Sequence, residues 1–323
     1  MSKVAITGGA GFLGSHIAKQ QLAKGNEVVI IDNFSSGSVE NLSDLGVRQN
    51  CIVGDLSNYD FARESLANVD TIYHFAAEVG SVQYLHGSND RELDALQANL
   101  VIDANVFRAC RVNRINCIIY ASSVSVYPFE KQLTREAVFK EDDATEHVNP
   151  EGGYGWSKYL GEVQLNMMTD VSIGIARIFH AYGKNIYLKP DRNQVIASLI
   201  SKAIKYPRED FVVWGDGTQR RCFVFIDDVL EALDKIERYV RQTKNLTVNI
   251  GSQDEITVKE LAEQIVKISG KSIDLKFDPS KPSGALSRTP NLERIERVLD
   301  WKPKTSFSKG LVETYEWAKT RLS

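Results

Sequence analysis

No apolar run in the sequence approaches the roughly 18 residues of a membrane-crossing helix, and no charged, apolar leader precedes the first β-branched run. No membrane partner is expected, and the expected location is cytoplasmic. Cysteine is scarce: Cys51, Cys110, Cys117 and Cys222 include no CxxC pair. They read as reduced, buried thiols, with no metal and no disulfide assigned to them. Proline is sparse as well, at 8 residues against 22 glycines, and 25% of residues are charged, which excludes collagen-like, low-complexity and disordered chains. Nor is there an excess of positive charge. With 39 Lys plus Arg against 42 Asp plus Glu the net charge is -3, so no diffuse field holds a nucleic-acid backbone and none is expected as partner. Any phosphate binding must be local.

What is present is a chain of 323 residues, 43% hydrophobic, long enough for one large domain or two joined ones. Short β-branched runs recur at residues 4–7, 28–32, 51–55, 71–77, 117–123 and 172–179, separated by segments of helical spacing. In residues 91–113, Leu93, Leu96, Leu100, Val101, Ala104, Phe107 and Ala109 recur at mixed three- and four-residue steps, and residues 154–168 behave alike. Strands alternating with helices predict βαβ units, hence a doubly wound α/β fold with a parallel sheet covered on both faces. After Gly183 the pattern changes to a polar loop over 184–193, a helix over 195–205 and strands over 211–214 and 222–226, predicting a smaller α/β lobe. Residues 278–290, with three prolines, read as an ordered surface loop.

The first run feeds directly into Thr7-Gly8-Gly9-Ala10-Gly11-Phe12-Leu13-Gly14. Gly9, Gly11 and Gly14 satisfy GxGxxG; Gly8, Gly11 and Gly14 satisfy GxxGxxG. Either spacing permits a tight strand-to-helix turn and brings a pyrophosphate close to the helix N-terminus. The next run ends in Asp32, eighteen positions after Gly14, near the spacing of the acid that takes ribose hydroxyls. A carboxylate there repels a 2′-phosphate, so NAD is the expected cofactor.

In Tyr154-Gly155-Trp156-Ser157-Lys158 a phenol and an ammonium lie four residues apart, on one face of a helix. A free tyrosine has a pKa of about 10; Lys158 and an oxidised nicotinamide would favour tyrosinate and yield a base usable near neutrality. Ser123, at the end of the run over 117–123, is the candidate hydroxyl for holding the reacting oxygen.

Glycine turn, Asp32, strand-end serines and YxxxK in this order resemble the extended short-chain dehydrogenase/reductase family, the nucleotide-sugar epimerases and dehydratases. The stretches Arg177-Ile-Phe-His-Ala-Tyr-Gly183 and Gly215-Asp-Gly-Thr-Gln-Arg-Arg-Cys-Phe-Val-Phe-Ile-Asp-Asp228 extend the resemblance into the C-terminal half, as do Asn249-Ile-Gly-Ser252 and Leu299-Asp-Trp-Lys-Pro303. It implies a Rossmann domain over residues 1–180 and a nucleotide-sugar lobe mainly over 181–323, with about 222–252 returning to the first. It implies Tyr154, Lys158 and Ser123 as catalytic residues, and cofactor contacts from Gly8, Gly11, Phe12, Leu13, Gly14, Asp32, Asn33, Asp55, Leu56, Ala76, Tyr154 and Lys158. The substrate side would comprise Ser125, Arg177, His180, Lys189, Arg221 and Arg288, the last two on a diphosphate. A homodimer through the two long helices is implied by analogy.

Family members share oxidation of the sugar at C4 and differ in the later steps. The run Ser122-Ser123-Val124-Ser125-Val126-Tyr127 has no carboxylic acid of the kind the dehydratases use. Tyr120–Pro128 and Lys140–Asp143 resemble GDP-mannose 3,5-epimerases and GDP-fucose synthases, whose cysteine is replaced by Ser125, and Gln194 stands where the synthases have a histidine. Lys189 matches a lysine of the 3,5-epimerases. His180 replaces the usual Asn. The expectation is a C4 dehydrogenase or 4-epimerase acting on a nucleotide-diphosphate sugar, with a GDP-hexose or GDP-heptose first and a UDP-hexose next. The alternatives are a GDP-sugar 3,5-epimerase, a 4-keto-sugar reductase and a non-catalytic NAD-binding regulator.

Overall fold

The computed structural model of the protein describes residues 1–45, 51–281 and 284–322. The β-branched runs become strands because successive side chains can be buried on opposite faces. In β1 (Lys3–Thr7), Val4 and Ile6 enter one core and Ala5 the other; in β2 (Glu27–Asp32), Val28 and Ile30 part from Val29 and Ile31 in the same way. With β3 (Cys51–Val53), β4 (Thr71–His74), β5 (Cys117–Ser123), β6 (Ser172–Ile178) and β7 (Asn245–Ile250) they form a seven-stranded parallel sheet in the order β7-β6-β5-β4-β1-β2-β3. Helices Phe12–Ala23 and Ile226–Thr243 cover one face through Ile17, Ala18, Leu233 and Ile236. Helices Asn89–Val112 and Gly152–Asn166 cover the other through Val106, Phe107 and Leu165. The strand order reverses between β1 and β4, so a crevice opens at their carboxyl ends, where a doubly wound sheet binds its ligand.

A second core joins Ile196 and Ile200, Leu261 and Ile265, and Leu311 and Tyr315 from helices Val195–Lys205, Val258–Ser269 and Phe307–Leu322. This core backs the smaller lobe. Helix Ile226–Thr243 and β7, although late in the chain, pack on the large sheet.

Some boundaries differ from the sequence expectation. The strand expected over 71–77 stops at His74: the Phe75 amide is shared between the Thr7 carbonyl (3.1 Å) and the Thr7 side-chain oxygen (3.2 Å), and the Ala76 amide turns to that side chain (3.2 Å) and leaves the ladder. The strand expected over 222–226 is divided. Arg220–Cys222 pairs antiparallel with Glu255–Thr257, Val224–Phe225 pairs parallel with Ala181–Tyr182, and Ile226 already opens a helix whose first turn carries Asp227 and Asp228. Acids in that position complement the helix dipole. Residues 278–290 are not simply surface: Thr289–Pro290 pairs with Val138–Phe139, and Ala285, Ser287 and Thr289 are buried. Residues 282–283 of that segment lie outside the described residues.

Cys110, Cys117 and Cys222 are buried free thiols, whereas Cys51 is half-buried. Among the described residues no helix is long and apolar enough to cross a membrane.

Candidate active site

β1 ends at Thr7, and Gly8 turns the chain with φ +63°. A Cβ there would lie 2.9 Å from the Ala76 nitrogen, and one on Gly14 would lie 2.2 Å from the Gly8 carbonyl oxygen. The turn can therefore close only without side chains. Helix Phe12–Ala23 starts at Gly11 with no side-chain cap, leaving the amides of its first turn facing the crevice unclaimed by any side chain.

Asp32 closes β2 with its side chain buried. One carboxylate oxygen accepts the Ala10 amide (2.9 Å) and the other the Phe34 amide (2.7 Å). Burial raises its pKa and the two amides pull it back. Asp55 folds its carboxylate onto the Ser57 amide (2.8 Å) beyond β3, and Asn33 accepts from the Ser35 amide (3.0 Å). Phe12, Leu13, Asn33, Asp55, Leu56 and Ala76 line the same cleft as the glycine turn. These residues fit a dinucleotide: a cradle that a Cβ would fill, and a fixed carboxylate at the end of the second strand.

The chemical centre stands at the carboxyl end of β5. Ser123 accepts the Ser125 amide (3.2 Å), which leaves its own hydrogen free, and its hydroxyl beside Tyr154 lowers the phenol's pKa. Burial and Asp103 act the other way and hold the phenol up at about 12. Lys158, expected to favour tyrosinate, holds its ammonium 4.6 Å over the ring of Tyr120, and burial lowers its pKa against the opposing charges of Asp103 and Glu162.

Beneath it runs a buried chain. Thr7 Oγ1 already accepts two amides, so its hydrogen goes to His74 Nδ1 (2.6 Å), leaving His74 Nε2–H to donate to Asp103 (3.0 Å). Asp103 also accepts the Tyr120 hydroxyl at 2.6 Å. Local spacing placed Tyr154 and Lys158 on one helix face; β1, β4, β5 and helix Asn89–Val112 build the buried chain over which the ammonium rests.

Across the cleft, of about 970 Å³, stand Ser125, His180, Lys189, Arg221 and Arg288. Burial and the neighbouring Arg288 push the Arg221 guanidinium down to about 9, still charged at neutral pH. Two adjacent guanidiniums held at such cost suit an anion. His180 is kept neutral by burial and by the same two arginines, and its Nδ1 has no partner. Gln219 Oε1 and Arg288 Nε are likewise buried without hydrogen-bond partners and belong to residues lining this cleft. Unmade bonds of this kind are costly in a packed interior and gathered here they point to a ligand.

Arg177 departs from the expectation. It is 2% exposed, forks onto Glu162 (2.9 and 2.6 Å), donates to the Glu141 carbonyl (2.6 Å), and lies outside the cleft lining. The fork uses it up as a buried ion pair, so it is no ligand contact. Sequence reasoning also passed over Glu151. Its carboxylate lines the cleft, accepts the Ser125 hydroxyl (3.1 Å) and pairs with Arg288. Its place three residues before Tyr154, one helical turn away, was the available signal.

A model described as the NAD dependent epimerase/dehydratase family matches residues 4–251. A GDP-mannose 3,5-epimerase of Arabidopsis thaliana is 29% identical over 99% of this chain and 83% of its own length. A solved UDP-N-acetylglucosamine 4-epimerase from Methanobrevibacter ruminantium M1, in complex with UDP-N-acetylmuramic acid, superposes with a TM-score of 0.86 at 26% identity, covering 99% of each chain. A UDP-glucuronic acid 4-epimerase from Bacillus cereus, solved with NAD, gives 0.83 at 25% identity, covering 99% of this chain and 100% of its own.

Proposed function

Because the chain belongs to the NAD dependent epimerase/dehydratase family, we propose that it oxidises the C4 hydroxyl of a nucleotide sugar, then either releases the ketone or reduces it on the opposite face. The observation that carries this reading is Tyr154 set beside the Ser123 hydroxyl, in one cleft with the glycine turn and the paired arginines. NAD, when bound, supplies the hydride acceptor and a positive ring beside the phenol. Tyr154 takes the hydroxyl proton, and Ser123 holds the reacting oxygen in line. Asp103 and Glu162 favour the charged form of Lys158 against burial, and Tyr120, fixed by Asp103, sets its position. Arg221 and Arg288 take the diphosphate, and Asp32 takes the adenosine ribose.

A GDP-hexose or GDP-heptose is the first substrate class, supported by the Arabidopsis relative, and a UDP-hexose is next, supported by the solved neighbours. NAD binding is assigned to residues 1–180 and sugar-nucleotide binding mainly to 181–323. The packing of Ile226–Thr243 and β7 on the large sheet supports the return of about 222–252 to the first domain. A homodimer through helices Asn89–Val112 and Gly152–Asn166 is supported by Leu93, Val101, Val112 and Trp156, all exposed there, and is read by light scattering.

The test is turnover of a GDP- and UDP-sugar panel, followed by nicotinamide absorbance and product stereochemistry. Tyr154→Phe lowers turnover at least ~100-fold while NAD binding persists. Near-normal turnover in that variant overturns the assignment. A protein that binds NAD and neither reduces it nor inverts any sugar is the regulator instead.

A further inference from the structure

We propose that Glu151 is a second catalytic base in this cleft, acting on a carbon–hydrogen bond beside the C4 ketone; the proposal rests on the C4 oxidation proposed above. The run from Ser122 to Tyr127 has no acid, and a serine alone is a poor base. The tertiary structure brings one in from the facing helix. The Glu151 amide donates to the Ser125 carbonyl (2.9 Å), its carboxylate accepts the Ser125 hydroxyl (3.1 Å), and Arg288 pairs with the same carboxylate oxygen. Backbone and side chain are thus tethered at one point.

Glu151 is the N-cap of helix Gly152–Asn166, where an acidic side chain ordinarily accepts the first-turn amides. It makes no such bond here. The carboxylate is turned into the cleft instead, in a residue only 7% exposed, with Tyr154 one turn further along the same helix. A desolvated carboxylate persists only when paired, and Arg288 provides the pairing. Arg288 Nε remains without a partner, so this guanidinium can hold a ligand oxygen while its terminal nitrogen stays on Glu151.

The chemistry balances without a further reagent. A ketone at C4 acidifies the hydrogens on C3 and C5. The C–H bond breaks, its proton forms an O–H bond on Glu151, and the electron pair moves into a carbon–carbon double bond as negative charge settles on the C4 oxygen. Ser123 and Tyr154 donate hydrogen bonds to that oxygen. Return of a proton restores the ketone; no oxidation or reduction accompanies the step. A proton exchanged with solvent on the way leaves an isotopic mark.

The experiment gives the NAD-loaded protein a nucleotide 4-keto sugar directly, in D2O, and follows deuterium uptake at the carbons flanking the ketone by NMR and mass. Hydride transfer from reduced cofactor to the same ketone is measured in parallel. The wild-type protein takes up deuterium. Glu151→Gln lowers uptake at least ~100-fold more than it lowers hydride transfer, and Ser125→Ala shifts the same ratio to a smaller extent. Hydride transfer without any uptake in the wild type overturns the proposal, whatever the variants do. Loss of uptake and hydride transfer together in both variants also overturns it, since the ion pair with Arg288 is then only a staple. Uptake without hydride transfer supports the base and removes the C4 reading.

Discussion

Replacing Arg177 by methionine tests the reassignment of that residue from ligand contact to interior ion pair. Its guanidinium forks onto Glu162 at 2.9 and 2.6 Å, with the two side chains 2% and 4% exposed. It also reaches the Glu141 carbonyl at 2.6 Å and the Tyr127 hydroxyl at 3.2 Å, while Glu162 accepts the Ser122 hydroxyl at 2.5 Å. Removing one partner strands a buried carboxylate, a loss of ~3–5 kcal/mol. Native domains keep only about 5–15 kcal/mol in all. At roughly 1.5 °C per kcal/mol for a chain of this length, Tm should fall by about 4–8 °C. Below that temperature NAD binding and the sugar KM should be close to wild type. The double variant Arg177→Met with Glu162→Leu should recover at least ~1 kcal/mol over the single one, because no charge is then left unpaired. Thermal unfolding by calorimetry and circular dichroism measures the first, and steady-state kinetics the second. An unchanged Tm with a raised KM would show that Arg177 serves the ligand and refute the reasoning.

The pH profile comes from the phenol. Burial holds Tyr154 up at about 12, and only its deprotonated form takes the C4 proton, so the sugar-oxidising rate should climb with pH through the neutral range. Ketone reduction, which needs the phenol proton, should fall as pH rises toward the same pKa; an oxidation rate that declines with pH would contradict the assignment. Asp32→Ala strands the Ala10 and Phe34 amides, costing about 1–3 kcal/mol for each that stays buried. It should also weaken NAD at least ~10-fold and reduce the preference over NADP, as titration calorimetry would show; unchanged affinity would remove Asp32 from the ribose site.

The parts of the site that were legible in the sequence are those whose geometry is local. Gly14 is needed because the Gly8 carbonyl passes within 3 Å of where its side chain would be, a crowding that belongs to one strand-to-helix turn; Gly8 itself is crowded by Ala76 from beyond β4, and only its positive φ is local. Asp32 follows from where β2 ends, and Tyr154 with Lys158 from helical spacing. Element ends were less legible: His74 ends its strand because the side chain of Thr7, from a different strand, takes the Ala76 amide off the ladder. Arg177 and Arg221 look alike as sequence, in stretches that both resemble family landmarks. One meets the carboxylate of Glu162 in a dry interior, and the other meets Arg288 at a cleft, and only packing separates the two fates.

The sequence by itself determined the class of fold, the nucleotide cradle and the identity of the phenol, since periodicity and turns are short-range consequences of backbone geometry. Tertiary structure alone decided which charges face the ligand. It set Lys158 over Tyr120 between Asp103 and Glu162, withdrew Arg177 into the core, and turned Glu151 into the cleft. The energy of a charge depends on burial and on its partners, and both come from segments distant in the chain.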